Sequence, residues 1–179
     1  MIKKLFSIII SLFFLLNTTV SAQVLEGGIE ENWTVNNARK EAFKDVPFVK
    51  DLSWAPVVDP YYSENMHAKQ QNIKQIKNRI ITFFDTGNYA IHEKGSNNTF
   101  YFSDNGQLNA VEYGASKTFP MKSYKYRYPE GTLFTLSLDI NNSECFIFKP
   151  NGKLIYHWIN NKCYTEAGKL HMTRYSVKY

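Results

Sequence analysis

The chain holds only two cysteines, six prolines and four histidines in 179 residues, and what it lacks narrows its chemistry first. Cys145 and Cys163 form no CxxC pair, and His67, His92, His157 and His171 make no HxxxH spacing, so no local zinc motif is present. There is no glycine-rich phosphate loop and no nucleophile elbow. Charge of one sign is also scarce. The 21 basic and 16 acidic side chains are evenly spread, too mild a balance for a nucleic-acid surface. Beyond Leu16 no apolar run reaches the roughly 20 residues that a bilayer span needs.

What is present starts at the first residues. Lys3 and Lys4 precede the uncharged apolar run Leu5–Leu16, and Val20 and Ala22 put small residues at the −3 and −1 positions of a cleavage site. This pattern predicts a signal peptide over residues 1–22 and a mature chain beginning at Gln23, exported to the periplasm or beyond. Gln23 leaves no cysteine at that position to carry a lipid. Cleavage would lower the formal net charge from +5 to about +3, and residues 23–179 suffice for one domain with a core.

Residues 23–78 read as a helical and extended segment. Thr34 can cap a helix through Phe43, with Val35, Ala38, Ala42 and Phe43 on one face and Pro47 ending it. Phe48–Tyr62 contains Pro56 and Pro60 and has neither helical nor strand period, yet it is too rich in Phe, Val and Trp54 for a disordered linker. It reads as an extended strap. A second helix is expected from Ser63 or Asn65, with Met66, Ile73, Ile76 and Ile80 forming one buried stripe.

Residues 79–179 read as β structure. Five triplets end in glycine: Asp85-Thr86-Gly87, Asp104-Asn105-Gly106, Pro129-Glu130-Gly131, Pro150-Asn151-Gly152 and Glu166-Ala167-Gly168. Each fits a three-residue hairpin loop whose last residue is left-handed, a conformation that glycine adopts without steric cost. Such a loop sets Phe102 opposite Leu108, Phe148 opposite Leu154 and Tyr164 opposite Leu170, so that an aromatic and a leucine clamp each turn. With the looser connections between them, these turns predict an antiparallel meander of about ten short strands, with the two helices and the strap packed on one face. By the same register Tyr126 pairs with Phe134, Tyr124 with Leu136, Lys122 with Leu138, Leu138 with Phe146, Leu136 with Phe148 and Phe146 with Tyr156. These pairs form one aromatic and aliphatic face. Within Tyr124-Lys125-Tyr126-Arg127-Tyr128, alternation puts the tyrosines on that face and both cations on the other.

The hairpins ending in NGxL, at Phe102–Leu108 and Phe148–Leu154, with Tyr164–Leu170 and a weaker copy at Arg127–Leu133, resemble the β-hairpin repeats of the MORN type and of the YwqK-like proteins described as antitoxins. Here the glycines are unevenly spaced and the tyrosine-glycine opening of MORN repeats is missing. The resemblance implies a curled sheet used for contact with a protein or a membrane surface, without catalytic residues.

The face opposite the aromatics carries a second pattern. The register sets Asp139 opposite Cys145, Cys145 opposite His157, and Cys163 opposite His171. A three-residue loop at Ile159–Asn161 would add His157 opposite Cys163, whereas a two-residue turn at Asn160-Asn161 would send Cys163 to the other face. Three readings of the cysteines stay open. A disulfide is usual in an exported chain, but both registers put the pair two strands, roughly 9–10 Å, apart. Free structural thiols are the second reading. The third is a functional row, either a nucleophile site of Cys145, His157, Cys163 and Asp139 or a metal site of Cys145, His157, Cys163 and His171. His67 and His92 read as isolated surface or core fillers. The expected function is that of an exported, non-enzymatic protein without a cofactor, which binds a protein or envelope component. A small hydrolase or metalloprotein built on the row is the alternative.

Overall fold

The computed structural model describes residues 33–175; the signal peptide read over 1–22 lies outside them. Two helices, α1 (Val35–Ala42) and α2 (Tyr62–Gln70), precede eleven strands. These are β1 (Gln75–Ile76), β2 (Arg79–Phe84), β3 (Tyr89–Glu93), β4 (Asn98–Phe102), β5 (Leu108–Gly114) and β6 (Met121–Arg127), then β7 (Leu133–Asn141), β8 (Glu144–Phe148), β9 (Leu154–Ile159), β10 (Lys162–Thr165) and β11 (Leu170–Tyr175). Each strand from β2 to β11 pairs antiparallel with the next, and β11 returns to β2 through Arg174 opposite Phe84 and Tyr175 opposite Phe83. The expected meander is therefore a closed ten-stranded barrel, with β1 as a short addition beside β2.

The second helix is shorter than its apolar spacing suggests. It stops at Gln70, Asn72 turns left-handed at φ 55°, and Ile76 and Ile80 belong to β1 and β2. Asn tolerates that conformation better than most residues, so the chain turns there before the stripe is complete.

All five triplet glycines have φ between 65° and 91°. In four loops the hydrogen bonds are those of a three-residue connection. Around Gly152, Lys149 N–H donates to Lys153 O and Gly152 N–H to Lys149 O, both at 2.9 Å. The fifth loop is one residue longer, because Arg127 N–H donates to Thr132 O and Tyr126 pairs with Leu133 in place of the expected Phe134. The aromatic–leucine clamps Phe102–Leu108, Phe148–Leu154 and Tyr164–Leu170 form as read.

Just past each clamp lies a feature that turn chemistry does not announce. The return strand carries one extra residue before pairing resumes: Asn109, Phe134, Ile155 and His171 are each skipped. These are β-bulges, which bend the strand and strengthen its local twist. Four of them on alternate strands curl the sheet far enough for β11 to meet β2.

The hydrophobic core lies on the outside of this barrel. Ile81, Phe83, Tyr89, Phe102, Tyr124 and Tyr126 face outward and are covered by Leu52 and Ala55 of the strap and Ala68 of α2. Complete burial of each such apolar side chain contributes about 1.5–3 kcal/mol relative to exposure. The strap also joins the backbone ladder at two hairpins. Lys50 N–H donates to Gly131 O at 2.8 Å and Leu133 N–H to Phe48 O at 3.1 Å. Asp59 N–H donates to Gly106 O and Leu108 N–H to Val57 O, both at 2.9 Å. The buried Asp59 carboxylate then accepts from Asn65 Nδ2 of α2 at 2.8 Å and from Tyr89 OH of β3 at 2.7 Å, fixing strap, helix and barrel to one another. On the adjoining sector α1 lies against β7 and β8, with Phe43 edge-on to Phe148 and Arg39 Nε donating to Gly152 O at 2.6 Å.

Glycine substitutions test this arrangement. A Cβ at Gly131 would stand 1.8 Å from Lys50 O, whereas one at Gly168 would meet nothing within 4 Å. Gly168→Ala is expected to cost about 1–2 kcal/mol for the left-handed backbone alone. Gly131→Ala should cost at least about 1–3 kcal/mol more, since the strap must also move. Chemical denaturation of both variants provides the comparison; equal losses would contradict the strap's docking.

Candidate ligand-binding lumen

The alternation that sends one set of side chains into the outer core sends the other into the barrel. Ten strands enclose more space than side chains fill in smaller barrels, and the lumen here has a volume of about 1530 Å³. Phe84, Tyr101, Tyr156 and Trp158 give it an aromatic wall, with Ile147 and Met172 beside them. Phe84 stacks with Tyr101 and leans on Trp158, both at 6.5 Å between ring centres.

A polar group of side chains adjoins that wall at Tyr101. Glu112 of β5 accepts from Tyr101 OH and Ser123 OH, each at 2.7 Å, and pairs with Lys125 Nζ at 3.4 Å. Burial alone would raise the Glu112 carboxyl, but Lys125 and the two hydroxyls outweigh it and hold it below its usual range. Burial likewise pulls Lys125 down despite Glu112, and pushes the Tyr101 phenol well up. Lys125 also stands 3.4 Å from the centre of the Tyr101 ring. Lys125 lies on the face opposite the tyrosines as expected, and that face is the lumen wall, whereas Arg127 at the end of β6 is exposed and covers the Phe134 ring.

The expected polar row is only partly assembled. Asp139 does pair with Cys145. The bulge at Ile155 then advances β9 by one residue, so Cys145 faces Trp158, and His157 pairs with Phe146 on the outer side. There His157 is buried, stacks on Phe146 at 4.4 Å, and shares a 2.9 Å hydrogen bond between Nε2 and Glu144 Oε1. The loop after β9 is the two-residue turn Asn160-Asn161, with Asn160 at φ 56°. Two slips of register cancel, and Cys163 therefore faces Trp158 from the lumen side. Its partner on β11 is Met172 in place of His171, which is the bulge residue, exposed and stacked on Tyr156 at 4.7 Å.

Cys145 and Cys163 are buried and free, with Trp158 of β9 between them. Burial raises both thiols, Cys145 well above its ordinary value with further help from Asp139, and Cys163 to about 11 against the pull of Arg174. Among the described residues no three His, Cys, Asp or Glu side chains converge to hold a metal ion. His92 lines the lumen too, with Nδ1 3.1 Å from Thr99 Oγ1, and burial lowers its pKa.

Sequence reasoning passed over Tyr101, Glu112, Trp158 and Arg174. Their signal is alternation against the buried aromatics, and it is readable only once the bulges are placed. No family model, no curated protein and no solved structure matches this chain.

Asp139 offers a test of its own burial in the lumen wall. Burial lifts its pKa to about 6, aided by Glu112 and opposed by the Cys145 hydrogen bond and Arg174. A carboxyl whose pKa is raised on folding favours the folded state most while protonated, and loses that advantage as pH climbs from its unfolded value through 6. Asp139→Asn stays neutral, so it should be more stable than the parent above about pH 6, by on the order of 1–3 kcal/mol, with the gap closing below about pH 4. Thermal melts across that range would show it, and a gap independent of pH would contradict it.

Proposed function

We propose that this chain is an exported, non-enzymatic binding protein and that its barrel lumen is the seat of a small amphiphilic ligand. The lumen itself is the main support for this reading. Its volume of about 1530 Å³ exceeds the roughly 300–1,000 Å³ of common small-molecule pockets. It offers an apolar aromatic wall with fixed polar groups beside it, the combination that holds a body and orients a head. Its reactive groups are quenched: Glu112 is tied to Lys125, Tyr101 and Ser123, both thiols are pushed up by burial, and His157 points to the outer side. Export rests on the leader pattern at residues 1–22.

One observation favours a second reading, the macromolecular partner that the hairpin-repeat resemblance implies. The strap leaves Phe48 and Val49 exposed at 65% and 68%, with Trp54, Val57 and Val58 also open. Patches of this kind commonly mark contact surfaces. The two readings predict different sensitivities. Uncharged phenylnaphthylamine, which fluoresces in dry apolar sites, should saturate at one molecule per chain. Ala110→Phe, which narrows the lumen, should weaken that signal, while Val49→Ser and Val58→Ser on the strap should leave it intact. Absence of saturable binding by the folded protein would overturn the lumen reading.

A further inference from the structure

Resting on the lumen as ligand seat, we propose that the ligand is an amphiphilic anion whose charged head is met by Arg174 beside Trp158. The charges lining the lumen are unequal. Glu112 is matched by Lys125 and Glu166 by Lys153, each at 3.4 Å. That leaves Lys74, Arg174 and the exposed Lys149 against Asp139 alone. A cavity with surplus positive charge and a low-dielectric wall attracts and concentrates anions.

Among these cations Arg174 is placed to do the binding. Its guanidinium carbon lies 4.4 Å from the centre of the Trp158 ring, next to the apolar group formed by Cys145, Cys163, Phe84 and Met172. Guanidinium carries five N–H donors, and here NH2 donates to Asn160 O at 3.3 Å. The remaining donors suit the fork geometry by which guanidinium meets carboxylate, sulfonate or phosphate oxygens. An anion held there lays its apolar body along Trp158 and Phe84. The aromatic wall and the charged group are contiguous, which is what an amphiphile requires and a small inorganic anion does not.

Asp139 makes the site sensitive to acid. It shares the lumen with Arg174 on β11, Glu112 on β5 and the Cys145 thiol on β8. While ionised it competes with a bound anion for Arg174 and repels it. Protonation removes that competitor, so affinity for an anion rises as pH falls through the range near 6 in which Asp139 titrates. His92, the other lumen group that gains charge in acid, is held down by burial.

Two dyes that differ by a single sulfonate supply the test: anilinonaphthalene sulfonate and the uncharged phenylnaphthylamine, each titrated by fluorescence. The sulfonate is expected to bind at least about tenfold tighter than the amine near pH 6. Arg174→Gln should erase that advantage. Sulfonate binding should tighten from about pH 8 to about pH 5 in the parent protein, the amine should not follow, and Asp139→Asn should flatten the sulfonate's profile. Should Arg174→Gln fail to fold, the parent's pH profile and Asp139→Asn decide the matter alone. Equal affinity for both dyes, or a sulfonate profile unchanged by Asp139→Asn, overturns the anion assignment and leaves the lumen reading standing. Binding of neither dye overturns the lumen reading itself.

Discussion

Where a leucine follows a glycine loop, the return strand carries one residue more than its partner, and closure of the barrel hangs on that extra residue. Asn109, Phe134, Ile155 and His171 each break the ladder just after a clamp that would otherwise continue it. A strand bent at its start on every second hairpin gives a sheet that curves in one direction. Curvature accumulated over ten strands brings Phe84 beside Arg174 and removes the two open edges that a meander would otherwise expose. Closure in turn creates an inside. The bulges also decide which residues occupy it, because each one exchanges the faces of the strand beyond it.

The two sides of the sheet then carry different work. Outside, the Phe102–Leu108 and Phe148–Leu154 clamps and their neighbours form an apolar surface that α1, α2 and the strap cover, and Asp59 locks the strap through α2 and β3. This is where the fold's stability resides. Inside, side chains that contribute little to that core are free to be charged, as Glu112, Lys125, Asp139 and Arg174 are. Burying charge is tolerable there because Glu112 and Lys125 satisfy each other and because the lumen has room for solvent. Separation of stability from chemistry leaves the interior able to bind.

Much of the outer side is legible in the sequence. The glycine triplets locate five turns, and the pairs Phe148–Leu154, Tyr124–Leu136, Leu138–Phe146 and Asp139–Cys145 follow from loop length. The last three hold by compensation: Phe134 cancels the extra residue of the Gly131 loop, and Ile140 makes up for the turn at Asn142-Ser143, a residue shorter than a three-residue loop. The inner side is less legible. Ile155 and His171 look like ordinary strand residues, so nothing in their identity announces a bulge, and an unbulged register puts His157 where Trp158 stands. Closure joins Phe84 to Arg174, positions far apart in the chain that no local pattern connects. The apolar residues Ile73, Ile76 and Ile80 fit a helix by spacing alone, and the left-handed turn at Asn72 overrides it.

If the bulges set the register, they close the barrel around Trp158 and the two thiols, and cross-strand backbone nuclear Overhauser contacts measure that register directly. Contacts are expected between Cys145 and Trp158, between Trp158 and Cys163, and between Phe84 and Arg174. Pairing of Cys145 with His157, or the absence of any contact between β2 and β11, would instead reveal an unbulged open sheet with no lumen to fill.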